Sequence, residues 1–468
     1  MGSLHFLFCF FYHSPYMPNS VESVKKEMMD FLGIDSVEEL YTYIPEELIM
    51  EGKLNLPDPL LTEIELKEHV QGILSKNIST NERISFLGAG SYKHYVPAVC
   101  NEINSRSEFL TAYSGGTYTD HGKCQAIFEF TSLMGELVDM DVVGLATYDG
   151  GQATCTSLRM TNRINGRNEL LVPKTMNPDI LSQLRNFCDF MTITLIDYDP
   201  KTGQLDLNDL RNKISENTAG VFIENPSYLG FIEEQGEEIG KIAHDHGAVF
   251  VVSADPSSLG LLEAPANYGA DVTCGEIQGL GMHMGYGSGQ SGFIASKDKP
   301  EYIMNFPNHF YSLYENGKGE FGFQRSLNQR TSYGSREKAV EYLGTNTGLW
   351  AITAAVYLSL MGPKGMYDLG RNIMYKSQYA IKVLSEVKGV KVLFDNSKHF
   401  KEFILNFDGT GKSVEEINNE LLNKGIFGGK DLSKDFKELG NSALYCVTEL
   451  TKKSDIDKLA KELNDILC

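Results

Sequence analysis

Six short apolar segments that alternate with amphipathic ones constrain the fold of this chain more than any other feature. The predicted strands are residues 170–173, 191–198, 220–224, 248–253, 271–274 and 292–295. Helical patterns at 180–187, 205–214 and 236–246 separate several of them. Strands and helices of these lengths predict βαβ units and a mostly parallel sheet with helices on both faces. Right-handed crossovers then bring the carboxyl ends of the parallel strands to one edge, where such sheets bind ligands.

The remaining segments predict three parts. Residues 1–85 have charged, interrupted helical patterns and are interpreted as an N-terminal helical arm. Residues 86–350 form the expected large α/β domain, and residues 351–468 a small C-terminal α+β domain with strands at 390–394, 402–406 and 443–448. An apolar run at 4–12 is too short to span a bilayer and lacks the flanks of a signal peptide. It is interpreted as an extension or an arm packed on a partner.

Composition excludes several functional classes. The chain has 468 residues, with 42 Lys and Arg against 62 Asp and Glu, a formal charge of -20. An acidic surface repels phosphate backbones and anionic lipids, so we expect neither a nucleic-acid nor a membrane partner. Eight cysteines without C-x-x-C or zinc-finger spacing indicate a reducing compartment. The prediction is a cytoplasmic protein without a metal site.

A dense group of polar side chains follows the Gly88-Ala89-Gly90 element. Tyr92, His94 and Tyr95 crowd into one turn directly after these glycines. A dinucleotide fingerprint needs a third glycine, which is missing, so a nucleotide site rests on weak grounds. A loop whose tyrosines cover a subunit surface remains an equal alternative.

Glycines and hydroxyl residues at 148–156 precede a helical pattern at 157–163. Free backbone N–H groups at a helix N-terminus favour an anion, so this segment is a candidate phosphate cup that would include Thr154. A plain helix cap is the alternative.

The residues expected after the predicted strands form the floor of a site: Asn225, Pro226, Asp255, Glu276 and Gln278. A carboxylate at Asp255 is placed to pair with the pyridinium nitrogen of pyridoxal phosphate (PLP). That chemistry also needs a lysine for the Schiff base. Between Lys241 and Lys297 there is no lysine. The scaffold therefore resembles a PLP enzyme whose reactive amine is absent.

The chain resembles the α subunit (subunit 1) of the two-chain bacterial glycine dehydrogenase (decarboxylating), the P-protein of the glycine cleavage system. The likeness covers nearly the whole sequence. It is carried by blocks at 16–19, 86–98, 109–113, 125–129, 136–141, 148–150, 255–262, 268–271, 336–339, 345–346 and 357–362.

The resemblance implies PLP fold type I and an α₂β₂ assembly in which the β subunit carries PLP. It implies decarboxylation of glycine and transfer of the aminomethyl group to lipoylated H-protein. Gly279 then stands at the position of the PLP lysine, and Thr154, Asp255 and Gln278 are expected in a vestigial cofactor pocket. The chain by itself should bind no PLP covalently and be inactive.

Departures from the family pattern occur at 114–122, at 340–344 and at 279–281. They leave two alternatives open: a divergent paralogue that acts with its partner on another amine, and a cofactor-free scaffold or binding protein. For the family function, Tyr92, His94, Tyr95 and Tyr113 are expected to line the edge of the partner's active site, because phenol and imidazole groups can orient a small zwitterion or move a proton. Anchoring of a subunit interface is the competing role for these tyrosines.

Overall fold

The structure, a computed structural model, describes residue 19 and residues 21–50, 55–110, 122–287, 289–340 and 346–467. The chain divides into two compact units, residues 1–77 and 78–468. The first unit contains helices α1 (Glu22–Leu32) and α2 (Glu63–Leu74). Helix α1 ends at Gly33, whose left-handed backbone (φ 70°) suits glycine. Helix α2 begins with a capping box between Thr62 and Glu65.

A seven-stranded sheet forms the centre of the second unit. Its strands are β2 (Val142–Val143), β3 (Glu169–Pro173), β4 (Thr192–Ile196), β5 (Thr218–Asn225), β6 (Val249–Ala254), β7 (Val272–Glu276) and β8 (Gly292–Ser296). Their spatial order is β2-β8-β7-β6-β5-β3-β4. Strands β3, β4, β5, β6 and β7 are parallel to one another, and β8 is antiparallel to β7. The carboxyl ends of β5, β6 and β7 therefore meet at one edge.

Helices cover this sheet, and each face has its own apolar core. The helices between residues 98 and 335 are α3 (Ala98–Asn104), α4 (Gly122–Val138), α5 (Gly150–Asn165), α6 (Pro178–Phe187), α7 (Leu207–Lys213), α8 (Gly236–Asp245), α9 (Pro300–Ile303) and α10 (Ser332–Ser335). Strand β5 reads Thr-Ala-Gly-Val-Phe-Ile-Glu-Asn and is buried except at its last residue. A continuous apolar run of this kind is typical of a parallel strand covered on both faces.

A long helix, α11 (Gly348–Ser385), leads from this core to the C-terminal lobe. It bends at Gly362 (φ 59°, ψ 180°), directly before Pro363. Ala351 at its start packs in the core of the large sheet, whereas Ala380 and Leu384 pack in the core of the C-terminal lobe. One helix thus contributes to both cores.

The C-terminal lobe contains β11 (Lys391–Val392), β12 (Glu402–Asn406), α12 (Val414–Asn423), β13 (Ile426–Phe427), β14 (Lys430–Asp431), β15 (Ser442–Cys446) and α13 (Lys453–Leu467). Four of these strands form a sheet in the order β11-β12-β15-β14. Strand β1 (Ile84–Ser85) pairs in parallel with β13, and Phe86 packs in the core of this lobe. The segment around residue 85 therefore joins the C-terminal lobe. The domain boundaries at 85 and 350 stay predictions.

The six predicted strands of the large sheet are confirmed, with bounds that shift by one or two residues. Strand β2 and the hairpin β9 (Phe310–Glu315) and β10 (Phe321–Ser326) were not predicted. Strand β2 is only two residues long. Strand β10 reads Phe-Gly-Phe-Gln-Arg-Ser, and none of its residues is buried. Its sequence therefore lacks the apolar run or the regular alternation that predicts a strand. Among the described helices, none combines the length and the apolar character needed to cross a bilayer.

Candidate functional site

A cavity of about 110 Å³ lies at the carboxyl edge of the large sheet. Pro226, Asp255 and Glu276, three of the five residues expected on the floor of a site, line it. Lys401 and Glu402, at the start of β12, close it from the C-terminal lobe. A volume of this size has room for a few water molecules. The site therefore lies where the topology predicts it, and both lobes contribute to its walls.

An ion pair joins the two lobes inside this cavity. The Lys401 ammonium lies 2.6 Å from Asp255 Oδ2, and the lysine side chain is only 5% exposed. The same ammonium lies 3.5 Å from the centre of the Tyr92 ring and 3.4 Å from Ser257 Oγ. Burial alone would raise the pKa of the Asp255 carboxyl, but the neighbouring ammonium holds that pKa below its ordinary value. Asp255 is therefore an ionised carboxylate paired with an internal cation.

The Gly88-Ala89-Gly90 element binds a carboxylate of the chain itself. Glu402 Oε1 accepts a hydrogen bond from the Ala89 N–H at 2.6 Å, and Oε2 accepts one from the Tyr92 hydroxyl at 2.8 Å. A Cβ atom at Gly88 would lie 2.4 Å from Glu402 Oε1, so only glycine permits this approach. Burial raises the pKa of Glu402 to about 7. The element thus has a structural role that requires no nucleotide.

His94 lies over Gly279, the position at which the family resemblance places the PLP lysine. A Cβ atom at Gly279 would lie 3.1 Å from His94 Cδ2 and 3.3 Å from Nε2. His94 Nδ1 is 2.8 Å from Glu449 Oε2, and Nε2 is 3.3 Å from the Lys401 ammonium. Because the ammonium can only donate, this network favours the tautomer in which Nδ1–H donates to Glu449 and Nε2 accepts. A long side chain at position 279 would displace the ring.

The N-terminus of α5 is also occupied by carboxylates. The Gly150 N–H donates to Glu276 Oε2 at 2.8 Å, and the Gln152 N–H donates to Asp149 Oδ1 at 2.6 Å. The helix begins at Gly150 rather than near residue 157. Of the two readings of this segment, the plain cap is the one observed, with Asp149 as N-cap. Burial raises the pKa of Glu276 to about 8.

The expected vestigial pocket is only partly assembled. Asp255 and Gly279 line the cavity, whereas Thr154 and Gln278 are buried outside its wall. Thr154 Oγ1 lies 3.6 Å from Cys274 Sγ. Gln278 exchanges two hydrogen bonds of 3.0 Å with the backbone of Tyr92. These two residues fix the packing around the site rather than its surface.

The four residues expected at the edge of a partner's active site occupy different environments. Tyr92 lines the chain's own cavity, and His94 is buried behind it. Tyr95 is 58% exposed, and its N–H donates to Glu449 Oε1 at 2.6 Å. Tyr113 and most of the departures at 114–122 and 340–344 lie outside the described residues. Their role at a partner's site stays a prediction.

Three charged residues of the site were not predicted: Lys401, Glu402 and Glu449. One signal was present in the sequence, because the two adjacent charges Lys401 and Glu402 directly precede the apolar run 403–405 of β12, a strand that is buried at all five positions. Charged residues are seldom fully buried unless they are paired. Nothing in the residue pattern identifies the partners of these charges.

The residues of this cavity do not fit PLP. The cofactor would need a lysine for its aldehyde, a free carboxylate for its ring nitrogen and an anion site for its phosphate. Here glycine stands at position 279, where the resemblance places the lysine, and the Asp255 carboxylate is paired with Lys401. The Gly150 and Gln152 N–H groups at the start of α5 donate to the carboxyl groups of Glu276 and Asp149.

Comparison with known proteins identifies the family. The family model described as glycine cleavage system P-protein matches residues 15–463. The chain belongs to the glycine cleavage system P-protein family. It is 36% identical to a probable glycine dehydrogenase (decarboxylating) subunit 1 of Staphylothermus marinus, over 97% of this chain and 98% of the relative. It is 38% identical to the protein of the same description from Pyrococcus furiosus, over 97% and 99%.

Solved structures agree with this membership. A glycine decarboxylase (P-protein) of the glycine cleavage system in inhibitor-bound form is 29% identical and superposes with a TM-score of 0.85, covering 97% of this chain and 100% of the other. The Burkholderia pseudomallei sphingosine-1-phosphate lyase, 14% identical with a TM-score of 0.63 over 90% and 94% of the two chains, shares the fold. The expected PLP fold type I is confirmed. Membership of this family fits the use of PLP by the enzyme complex as a whole.

Proposed function

We propose that this P-protein family member acts as the non-PLP-bearing subunit of a two-chain glycine dehydrogenase (decarboxylating), with PLP and the Schiff-base lysine on its partner subunit. One observation carries the assignment of the cofactor: the His94 ring packs against Gly279 where a PLP enzyme needs its lysine. The relatives described as subunit 1 have nearly the same length as this chain, which supports an enzyme with a second subunit.

The substrate in this proposal is glycine, and the acceptor of the aminomethyl group is lipoylated H-protein, as the family description implies. PLP on the partner supplies the electron sink for decarboxylation. The residues of this chain would shape the entrance to that site. Tyr95 is the exposed member of the group, while Tyr92 and His94 would support it from behind and Tyr113 would complete it.

The exposed hydrophobic side chains of the N-terminal unit support the proposal that this unit contacts a partner subunit. None of its described residues is buried, and nearly half of the exposed large hydrophobic side chains of the described chain lie in it. Phe31 is 89% exposed and Tyr43 is 80% exposed. Exposed aromatic side chains of this kind are typical of protein interfaces. The proposed location is the cytoplasm, supported by the absence of disulfide bonds among the six described cysteines.

A divergent enzyme that acts with its partner on another amine is the second candidate. The departures from the family pattern at 114–122 and 340–344 favour it, because the resemblance places substrate or partner contacts in these blocks.

Co-expression with the partner subunit tests both candidates. We expect glycine-dependent exchange of labelled CO₂ with both subunits present and none with this chain alone. Exchange supported by a different amine of a substrate panel would favour the divergent enzyme. A failure of every amine in the panel to support exchange would contradict both candidates.

The location of the cofactor is tested by borohydride reduction of the assembled enzyme, followed by peptide mapping. The reduced pyridoxyl group should appear on a peptide of the partner subunit. A pyridoxyl-lysine in a peptide of this chain would refute the proposal.

The roles of His94 and Tyr95 are tested by His94→Ala and Tyr95→Phe in the assembled enzyme. Turnover should fall while the complex remains intact. Loss of assembly, with unchanged specific activity of the complex that remains, would mean that the cluster serves the interface only.

A further inference from the structure

Lys401 occupies an unusual environment for a lysine. It is the only cationic side chain among the described residues that line the cavity, where four carboxylates are also present: Glu224, Asp255, Glu276 and Glu402. Its side chain is 5% exposed. An ammonium removed from water costs several kcal/mol unless a partner of opposite charge compensates it. Asp255 is that partner, because its pKa lies below the ordinary value, whereas burial raises the pKa values of Glu224, Glu276 and Glu402.

We propose that the Lys401 ammonium is an internal substitute for the cationic ring of the cofactor that this pocket lacks. In a PLP enzyme the carboxylate at the position of Asp255 meets the protonated ring nitrogen. Here it meets a lysine ammonium at 2.6 Å. The substitute supplies one positive charge to a partly buried carboxylate, whose side chain is 21% exposed, so this charge pair needs no ligand.

The surroundings of the ammonium support this role. Tyr92 presents its ring face at 3.5 Å, which attracts a cation through the ring quadrupole. His94 Nε2 and Ser257 Oγ lie at 3.3 and 3.4 Å and can each accept one of the remaining protons. Asp255, His94 and Ser257 thus provide acceptors for all three N–H donors of the ammonium.

The substitute also connects the two lobes. Asp255 follows β6 of the large sheet, and Lys401 precedes β12 of the C-terminal lobe. The lobes approach closely here, because a Cβ atom at Gly230 would lie 2.0 Å from the Glu402 carbonyl oxygen. In an enzyme that binds its cofactor in this pocket the ligand joins the lobes, whereas here a side chain does so. The inference rests on the proposed function, since it applies to a chain that carries no PLP of its own.

Chemical rescue of Lys401→Ala in the full-length chain tests the inference. The substitution removes three methylenes and the ammonium, which n-propylammonium can replace. We expect the midpoint of thermal unfolding to fall by about 5 °C or more, because breaking a buried pair leaves an unpaired carboxylate. Millimolar n-propylammonium should restore at least half of that loss. The neutral isostere 1-propanol should restore little.

Two further variants keep the test decisive. Lys398→Ala is the matched control, because Lys398 pairs with Glu234 at 2.8 Å on the surface with 69% of its side chain exposed. Its midpoint should change by about 1 °C or less. If Lys401→Ala does not fold, the double variant Lys401→Met with Asp255→Asn should give more soluble protein than either single variant, since it removes both charges together.

Three results would overturn the inference. They are an unchanged midpoint in Lys401→Ala, equal rescue by 1-propanol and n-propylammonium, and a double variant no better than its parents. These outcomes are distinct from failure of the proposed function, which is measured on the wild-type protein as a pyridoxyl-lysine in this chain or as a failed CO₂-exchange assay of the assembled enzyme.

Discussion

The N-terminal unit and the C-terminal lobe contain the same local signals, yet only the lobe buries its helices. Helix α2 begins with the capping box of Thr62 and Glu65, and α12 begins with that of Ser413 and Glu416. Helix α12 buries Val414, Ile417 and Leu421 against the lobe. Helix α2 has no buried residue.

The difference shows what a cap can and cannot do. A capping box satisfies orphan N–H groups and marks where a helix begins. An isolated helix of this length is marginal in water, because most helical stability in proteins comes from packing of an apolar face. The C-terminal lobe supplies that packing. For the N-terminal unit we infer that a partner supplies it.

The largest effect should come from matched phenylalanine truncations in the two regions. Phe403 is fully buried in the core of the C-terminal lobe, whereas Phe31 is 89% exposed. Phe403→Ala should lower the free energy of unfolding by about 3–5 kcal/mol through lost burial and a cavity. Phe31→Ala should change it by about 0.5 kcal/mol or less. Denaturant unfolding measures both, and a large loss in Phe31→Ala would show that the chain itself buries this side chain.

The pH dependence of stability should distinguish the cavity from the rest of the molecule. Burial raises the pKa of Glu276 from 4.5 to about 8. The folded state therefore holds a proton that the unfolded state releases, and the resulting stability is complete below about pH 4.5 and lost as the pH rises through about 8.

In Glu276→Gln the side chain cannot ionise, so part of this dependence should disappear. Between about pH 5 and pH 8.5, wild type should lose about 1–3 kcal/mol more unfolding free energy than the variant. Urea titrations at the two pH values measure the difference. Parallel pH profiles of the two proteins would refute a protonated Glu276.

The arm should matter for assembly even though it contributes little to the stability of the isolated chain. A double variant, Phe31→Ser with Tyr43→Ser, should weaken binding to the partner subunit by about tenfold or more, because exposed aromatic side chains are typical interface anchors. Tyr375→Ser on α11 is the control, since Tyr375 is 67% exposed in the second unit. Titration calorimetry reports the affinities. Equal affinities would place the arm outside the interface.

The smallest effect should come from removing the two caps. Ser413→Ala should cost about 1 kcal/mol of global unfolding free energy, because α12 unfolds with the lobe. Thr62→Ala should leave the global value unchanged and increase hydrogen exchange only in residues 63–74. A global loss in Thr62→Ala would indicate that α2 folds cooperatively with the second unit.

Hydrophobic periodicity was sufficient to predict six strands of the large sheet, because most of them are largely apolar runs that are buried on both faces. The exception among the six is the edge strand β4, of which only Ile196 is buried. Periodicity was insufficient for β2, which has two residues, and for the hairpin of β9 and β10, which has exposed apolar positions such as Leu313 and Phe321. Glycines also misled the prediction at α5. Gly150 lies in the first turn of this helix. A glycine is needed there because a Cβ atom would lie 2.8 Å from Glu276 Cβ, so close packing rather than loop formation explains the residue type.

The sequence by itself determined the fold class, the position of the site at the carboxyl ends of β5 to β7, and the absence of a lysine where PLP would need one. These properties depend on residue types and on periodicities along one stretch of chain. Only the tertiary structure decided which charges meet in the cavity. Asp255 and Lys401 belong to different lobes, and their pairing at 2.6 Å depends on how closely those lobes approach. A local pattern contains no information about that approach, because the energy of a buried charge depends on neighbours that folding brings from elsewhere in the chain.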